Sequence, residues 1–351
     1  MSAPITARII ASDVLCSIGR GGNQVWASAR AGIGRITSSH VMDRHFEAIQ
    51  MGLVPEDALA PLPPEFDVLP LPARVRRMLR LAAPLLSNVA QILGEQPVPI
   101  FIGLPQQDEY TARWLPNFIT QLCAMAGVAC DVSLSQIFPL GRAASLSALQ
   151  AALQALAANP QQPVIVGGVD TYLDLRLLAE LDTEQRILGS HVMDGFIPGE
   201  GAAFMVLSAD TRVQGATILG AASHDDPGHR YGTDPAKGEG LAHALTQLRE
   251  QLGDALLPIA STFAGFNGES FEAKLWGVAR LRHNDLFTPD MKMQHPADCY
   301  GDAGAATGAI LTVLAATALA KAHRTAPALI WAASDHETRA CAVLSNTAFN
   351  N

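Results

Sequence analysis

A few short stretches of this chain hold side chains able to do chemistry. HPADCYGD sets His295, Asp298 and Cys299 close together. His, Asp and Cys are zinc donors, but a structural zinc site closes with four ligands and no fourth is evident nearby, so loop packing accounts for them. Cys299 precedes a glycine turn and has no neighbouring base in the sequence to make it a thiolate. SHDDPGHRYG carries His224, Asp225, Asp226 and His229, which suit either a polar ligand or a solvated turn, and SDHETRA carries His336 and Glu337. Ser145 and Ser147 lie in RAASLSALQAA, a helical pattern in which serine hydroxyls usually satisfy local backbone groups. None of these stretches predicts a metal or cofactor site.

The elements that must position such residues alternate along the chain. ARIIASDVLCSI, PVPIFIGL, VIVGGVD, the run Ala202–Leu207, TILGAAS, LLPIASTFAG, PALIWAAS and RACAVLSN read as strands. Between them, helical spacing predicts helices around Trp26, over 73–93 with a possible kink at Pro84, over 114–127, over 142–158, and in LAHALTQLREQLG, SFEAKLWGVARL and GAATGAILTVLAATALAKAH. Strands alternating with helices imply a largely parallel sheet covered on both faces, an α/β fold. Residues 55–74 are too rich in proline to continue a helix or a central strand and read as a surface excursion, a plausible docking surface.

Composition narrows the class. The 351 residues are 49% hydrophobic and 16% charged, which suits a globular protein with much buried surface. There is no uninterrupted apolar run of about eighteen residues and no basic start followed by a long apolar stretch, so neither a membrane span nor a secretory leader is expected. Cys16, Cys123, Cys130, Cys299 and Cys341 are scattered and odd in number, which fits a reduced, cytoplasmic protein. A net charge of −9 argues against a nucleic-acid surface and leaves a protein or small molecule as the partner.

The order and wording of several segments resemble the β-ketoacyl synthases of the thiolase superfamily. VIVGGVD followed by DGFIPGEGAAFMVLS resembles the family's GGxD and DGFxxGEGAAxxVLE strands. IGRGGNQVWASARAGIGRI, SHDDPGHRYGTDPAKGEGLAHAL and YGDAGAATGAI are similar to its opening loop, its mid-chain loop and its "GHxxGAAGAI" helix start, in the family's order. The resemblance implies a thiolase-like five-layered αβαβα fold built from two similar halves, residues 1–215 and 216–351, and a homodimer, since such proteins pair through a broad face.

The same resemblance implies a degenerate active site. RAASLSALQAA fits the nucleophile turn "ACsssLxAxxxA" with Arg142 where the cysteine belongs; ASTFAGFNGESFE sets Ser261 on the first catalytic histidine. GDAGAATGAI sets Asp302 on the second and Ala297 on the preceding lysine, and SDHETRA replaces the closing glycine loop. Because the cysteine and second histidine face each other in the family, Arg142 and Asp302 are expected to form an ion pair. An arginine cannot accept an acyl group, so the expected function is a catalytically inactive scaffold or adaptor protein. The GDAGAATG variant is similar to accessory proteins of bacterial type VI secretion, where such a subunit would help an adaptor load an effector. The alternative is a ketosynthase-like acyltransferase or chain-length partner acting on acyl carrier protein thioesters.

Overall fold

A computed structural model gives the protein's structure over residues 6–253, 256 and 258–346. The apolar runs become β1 (Ala7–Cys16), β2 (Gly19–Arg20), β3 (Thr37–Met42), β4 (Ala48–Met51), β5 (Ile100–Leu104), β6 (Gln136–Pro139) and β7 (Val164–Thr171). They continue with β8 (Glu200–Ser208), β9 (Thr217–Asp225), β10 (Ile259–Ala264), β11 (Phe287–Gln294), β12 (Ala328–Ala333) and β13 (Thr338–Ser345). The helices are α1 (Gly22–Arg30), α2 (Pro64–Asp67), α3 (Ala73–Ala90), α4 (Phe118–Ala126), α5 (Ala144–Ala158), α6 (Leu175–Thr183), α7 (Glu239–Leu252), α8 (Ser270–Arg282), α9 (Ala297–Tyr300) and α10 (Thr307–Ala320). Residue 257, in the strand expected from LLPIASTFAG, lies outside the described residues.

One sheet runs in the order β11-β10-β12-β13-β9-β1-β8-β7-β5-β6, with β2 hung on β1. Outward from its centre, β1-β8-β7-β5-β6 and β9-β13-β12-β10-β11 repeat one strand order: first, last, last but one, second, third. In each arm the outer pairs are parallel and the inner ones antiparallel. The arms meet through a short pairing, Ala7 with Ile218 and Arg8 with Thr217.

Side-chain alternation along the strands then builds layers. In β7, Val164 and Val166 face one core while Ile165 and Val169 face another. The first core holds α5 and α10 between the two arms, against Met205 on one side and Phe263 and Ile330 on the other. Helix α10 is buried continuously from Thr307 to Ala316, as a helix apolar on all sides must be. Helices α3 and α4 cover the outer face of the first arm and α7 and α8 that of the second, giving the five layers αβαβα.

Three details depart from the sequence reading. The helix expected over 73–93 ends at Ala90 and tightens into a 3₁₀ turn over Gln91–Leu93. The helix expected from Trp114 starts at Phe118 after two 3₁₀ turns, and ends on Gly127 in the left-handed region. The β3–β4 hairpin, β6, α6 and β11 carry no strong periodic signal. Strand β11 is polar and contains Pro289, tolerable because it is an edge strand paired only with β10.

The arginines of α3 fasten the proline-rich excursion. Arg76 donates to the carbonyls of Leu69 and Leu71, and Arg80 to that of Ala60. Arg77 meets the fully buried Glu200 through Nε at 2.6 Å and Nη2 at 2.7 Å. Glu200 also accepts from the Val54 amide and the Thr171 hydroxyl, each at 2.7 Å. Glu200→Ala therefore strands a buried guanidinium edge, an amide and a hydroxyl. We expect a loss of about 3–5 kcal/mol in urea unfolding, with Arg77→Met/Glu200→Leu losing less; an unchanged midpoint would show that the clamp does not carry the excursion.

Candidate functional site

The site is built on the N-terminus of α5. A Cβ on Gly103 would come within 2.5 Å of the Ser145 nitrogen, and one on Gly168 within 2.6 Å of the Ala305 carbonyl oxygen, so two bare glycines let α5 and α10 seat against the sheet. A 3₁₀ turn, Gly141–Ala143, leads into α5 and carries Arg142 inward to 3% exposure. Its Nη1 donates to Asp302 at 2.7 Å, its Nη2 to Asp335 at 2.6 Å, and its Nε to the Ala333 carbonyl at 3.1 Å. The Glu272 carboxylate lies 3.2 Å from Nε, in charge contact without hydrogen-bond alignment. A cation is poorly placed at the positive end of a helix, and these carboxylates offset both that and its burial.

The cluster extends further. Arg186 grips Glu269 in a fork, Nε at 2.9 Å and Nη2 at 2.8 Å, and also reaches both oxygens of Asp335. Arg230 approaches Glu269 at 3.0 Å and Asp335 at 3.3 Å. The Asn267 amide bridges Glu269 and Asp302, and the Gly304 amide holds the other Asp302 oxygen at 2.8 Å. Ser334 accepts from the Ala143 amide at 3.0 Å and donates to the Leu140 carbonyl, so the amide just ahead of α5 is already occupied.

Burial and charge set the protonation. Desolvation would lower the Arg142 pKa, but Asp335, Glu272 and Asp302 raise it well above the ordinary value. Burial pushes Asp335 up, and Arg142, Arg186 and Arg230 overcome this and hold it well below the carboxylate range. Glu272 is different: burial pushes it to about 8, with Arg142 pulling down and Asp302 adding repulsion. Arg142, Arg186 and Arg230 face Asp302, Asp335, Glu269 and Glu272, with the more exposed Glu184 3.7 Å from Arg186, so carboxylates outnumber guanidiniums and a proton on Glu272 relieves part of the excess.

Arg142 and Asp302, which the sequence set opposite each other, thus meet. Ser261 does not join them. It lies inside β10, beside Ala328 and Lys292, and its hydroxyl donates to the Thr325 carbonyl at 2.8 Å. At about 3.3 Å rise per residue it falls some way short of the loop after β10, and that loop delivers Asn267 and Glu269 to the cluster instead. Ser145 accepts from the Ala309 amide and Ser147 donates to the Ala143 carbonyl. His295 pairs with Asp298 at 2.7 Å on the surface, and Cys299 is buried near the Ala29 carbonyl. His224 faces His243 at 3.2 Å, Asp225 accepts from Thr338, and Asp226 caps α7 through the Gly240 amide. His229 meets Glu337 at 3.3 Å. Among the described residues no His, Cys, Asp and Glu side chains group so as to hold a metal ion, and no helix is long and apolar enough to cross a membrane.

Arg142 and Asp335 also border a cavity of about 360 Å³, with Arg74, Asp170, Tyr172 and Arg186 around them and Tyr231 and His336 nearer the outside. Charged side chains line part of it, while most of its open wall is apolar. Of the residues that complete the site, Arg186, Arg230 and Asp335 were not singled out in the sequence, while Glu269 and Glu272 were matched only as the tail of the loop in ASTFAGFNGESFE. The spacing of Gly268, Glu269 and Glu272 was visible, but nothing local tied it to Arg142.

A family model described as the β-ketoacyl synthase N-terminal domain matches residues 140–212, a stretch that includes Arg142. No curated protein matches the chain in sequence. Among solved structures, a ketosynthase from module 6 of the bacillaene synthase of Bacillus subtilis 168 superposes with a TM-score of 0.77 at 15% identity, covering 99% of this chain and 73% of that one. The chain has a thiolase-like fold. The same fold relates it to the oxazolomycin ketosynthase domain OzmH KS7 of Streptomyces albus JA3453, with TM-score 0.73, 15% identity, and 97% and 75% of the two chains covered. An AntDE:AntF structure, a type II acyl-carrier protein in complex with its ketosynthase bound to the hexaketide, gives 0.75 at 15% identity, covering 97% of this chain and 99% of that one.

The raised Glu272 pKa of this thiolase-like fold has a measurable sign. The folded protein keeps a proton that the unfolded chain releases above about 4.5, so this part of stability is complete below that pH and is lost as pH rises through about 8. The melting temperature of the native protein should fall across that window, and Glu272→Gln should flatten the fall. Equal slopes in the two proteins would mean that Glu272 is ionised beside Arg142.

Proposed function

We propose that this protein is a catalytically inactive, ketosynthase-like protein that works by binding another protein. One observation carries the reading: at the head of α5, where the sequence resemblance sets the acyl-accepting cysteine, Arg142 is tied to Asp302, Asp335 and Glu272. A guanidinium stays protonated and cannot take an acyl group. Both oxygens of Asp302 already accept, one from Arg142 and the other from the Gly304 amide, so neither is free to serve a developing oxyanion. The amide of Ala143 is committed to Ser334.

On this reading the protein is a cytoplasmic homodimer, and the GDAGAATG resemblance supplies the setting: an accessory protein that helps an adaptor load an effector in type VI secretion. Beside the Pro55–Arg74 excursion, a groove of about 720 Å³ runs past Leu62, Arg76, Arg80 and Leu173. Val68 and Leu175 nearby are 82% and 69% exposed, apolar surface of the type a protein partner covers. The second reading, an acyltransferase or chain-length partner of an acyl carrier protein, is favoured by the resemblance to the AntDE:AntF assembly. It needs an apolar tunnel, and the ion pairs of buried Arg142 with Asp302 and Asp335 count against one passing there.

Intact mass after incubation with acyl-CoA and acyl carrier protein thioesters separates the two. We expect no acyl adduct while an authentic ketosynthase in parallel is labelled. An adduct that survives Arg142→Ala and disappears when one serine or cysteine is replaced would establish a relocated nucleophile and end the binding-only reading.

A further inference from the structure

The C-terminal ends of α1 and α10 come together at the end of the molecule away from Arg142. Helix α10 starts just after Asp302 and runs 14 residues, about 20 Å at 1.5 Å per residue, before it stops. Ala322, at φ 53°, then turns the chain back through the left-handed region, and the Ala322 and His323 amides bond to the Leu319 and Ala318 carbonyls at 2.9 Å each. That turn lays the next two side chains on α1. The indole nitrogen of buried Trp26 donates to His323 Nδ1 at 3.1 Å, and the Arg324 guanidinium lies over the same ring, 5.3 Å from its centre.

Cations gather there. Arg30 stands one turn beyond Trp26 on the same face of α1, and Lys321 is the first residue after α10. Arg324 Nη1 donates to the His323 carbonyl at 2.7 Å, and its Nε is buried without a partner. Desolvation, then Arg30, Lys321 and Arg324, lower the His323 pKa, with no carboxylate acting the other way. Leu319 and Ala320, in the last turn of α10, also wall a groove of about 470 Å³ with Arg8 and residues 211–216. Arg8 donates only to the Gly215 carbonyl, at 2.9 Å, whereas Arg212 is closed on Asp210. Among the described residues Arg8, Arg30, Lys321 and Arg324 have no carboxylate partner, in a chain whose net charge is −9.

We propose that this end of the molecule, from Arg30 across Lys321 and Arg324 to the groove at Arg8, is a docking surface for an acidic polypeptide segment of a partner protein. One cation after each helix would complement the dipoles of α1 and α10, and more than that are present. All four side chains are exposed or half-buried and lack a counter-charge, so they repel one another until carboxylates from outside arrive. Glutamates or aspartates along one segment would answer them in turn, with the groove beside Leu319 holding the backbone. Nucleic acid fits less well. Trp26 is 2% exposed and gives no ring for a base to stack on, and the chain as a whole is acidic. The surface is independent of the chemistry at Arg142 and stands whether that site is inert or active.

The test is fluorescence anisotropy of a fluorescein-labelled octaglutamate peptide with the folded full-length protein. Saturable binding should appear at about 50 mM salt and weaken by about 200 mM as screening grows. Arg30→Glu/Lys321→Glu, which reverses two exposed cations of the surface, should weaken binding about tenfold. Arg113→Glu/Lys237→Glu changes the net charge equally at exposed positions elsewhere and should leave binding within about twofold of native. All four substituted side chains are exposed, so both variants should melt with the native protein. No saturable binding to the native protein, equal weakening by the two double variants, or tighter binding of a labelled oligothymidylate of the same length would each overturn the proposal.

Discussion

A buried guanidinium at the positive end of a helix dictates much of this structure. Arg142 is 3% exposed, and a lone cation so placed costs several kcal/mol in desolvation and stands against the helix dipole. Carboxylates must therefore reach it, and they arrive from separate parts of the chain. Asp302 comes from the turn before α10, Glu272 from the first turn of α8 and Asp335 from the turn between β12 and β13. Each carboxylate is then an unpaired charge unless it too is answered, which explains Arg186 and Arg230 on the far side of Asp335 and Glu269. Charge balance thus links the two arms of the sheet at the end where α5 and α10 begin.

The duplicated topology makes such a meeting possible. Each arm places its central helix in the middle layer, so α5 from the first and α10 from the second start side by side. Close seating there needs bare backbone, which Gly103 and Gly168 supply. A second buried pair holds the neighbouring ground: Asp170, at the end of β7, takes Arg74 at 2.8 Å and the Ala305 amide at 3.0 Å. The start of α10 is thereby fastened to the first arm by Asp170 and Arg142 together.

How far this was legible depended on whether a signal was local. Strand and helix types followed from apolar spacing, and the fully buried β7, β8 and β12 were the clearest because a continuous apolar run needs cover on both faces. The meeting of Arg142 and Asp302 followed from their places in motifs at two helix starts. Ser261 was displaced because matching the Glu269–Glu272 spacing fixes the helix start but not the length of loop between it and β10. Arg186, Arg230 and Asp335 left no mark, since their pairings join residues far apart in sequence with no repeated spacing. Glu200 lay in plain view between Gly199 and Gly201, yet its role needs Arg77 on another layer.

The same electrostatics bears on whether the head of α5 is suited to chemistry or to holding a shape. A catalytic acid or base must reach its substrate and change protonation during turnover. Asp335 is held ionised by the arginines around it, and Arg142 is held charged by the carboxylates. Glu272 alone is brought near neutral pH, but its side chain is 1% exposed and one oxygen already accepts from the Asn267 amide. A network in which each charge is committed to another resists rearrangement, because breaking one contact leaves an uncompensated buried ion. Such rigidity hinders a proton-transfer cycle and serves a surface that must present one fixed shape to a partner.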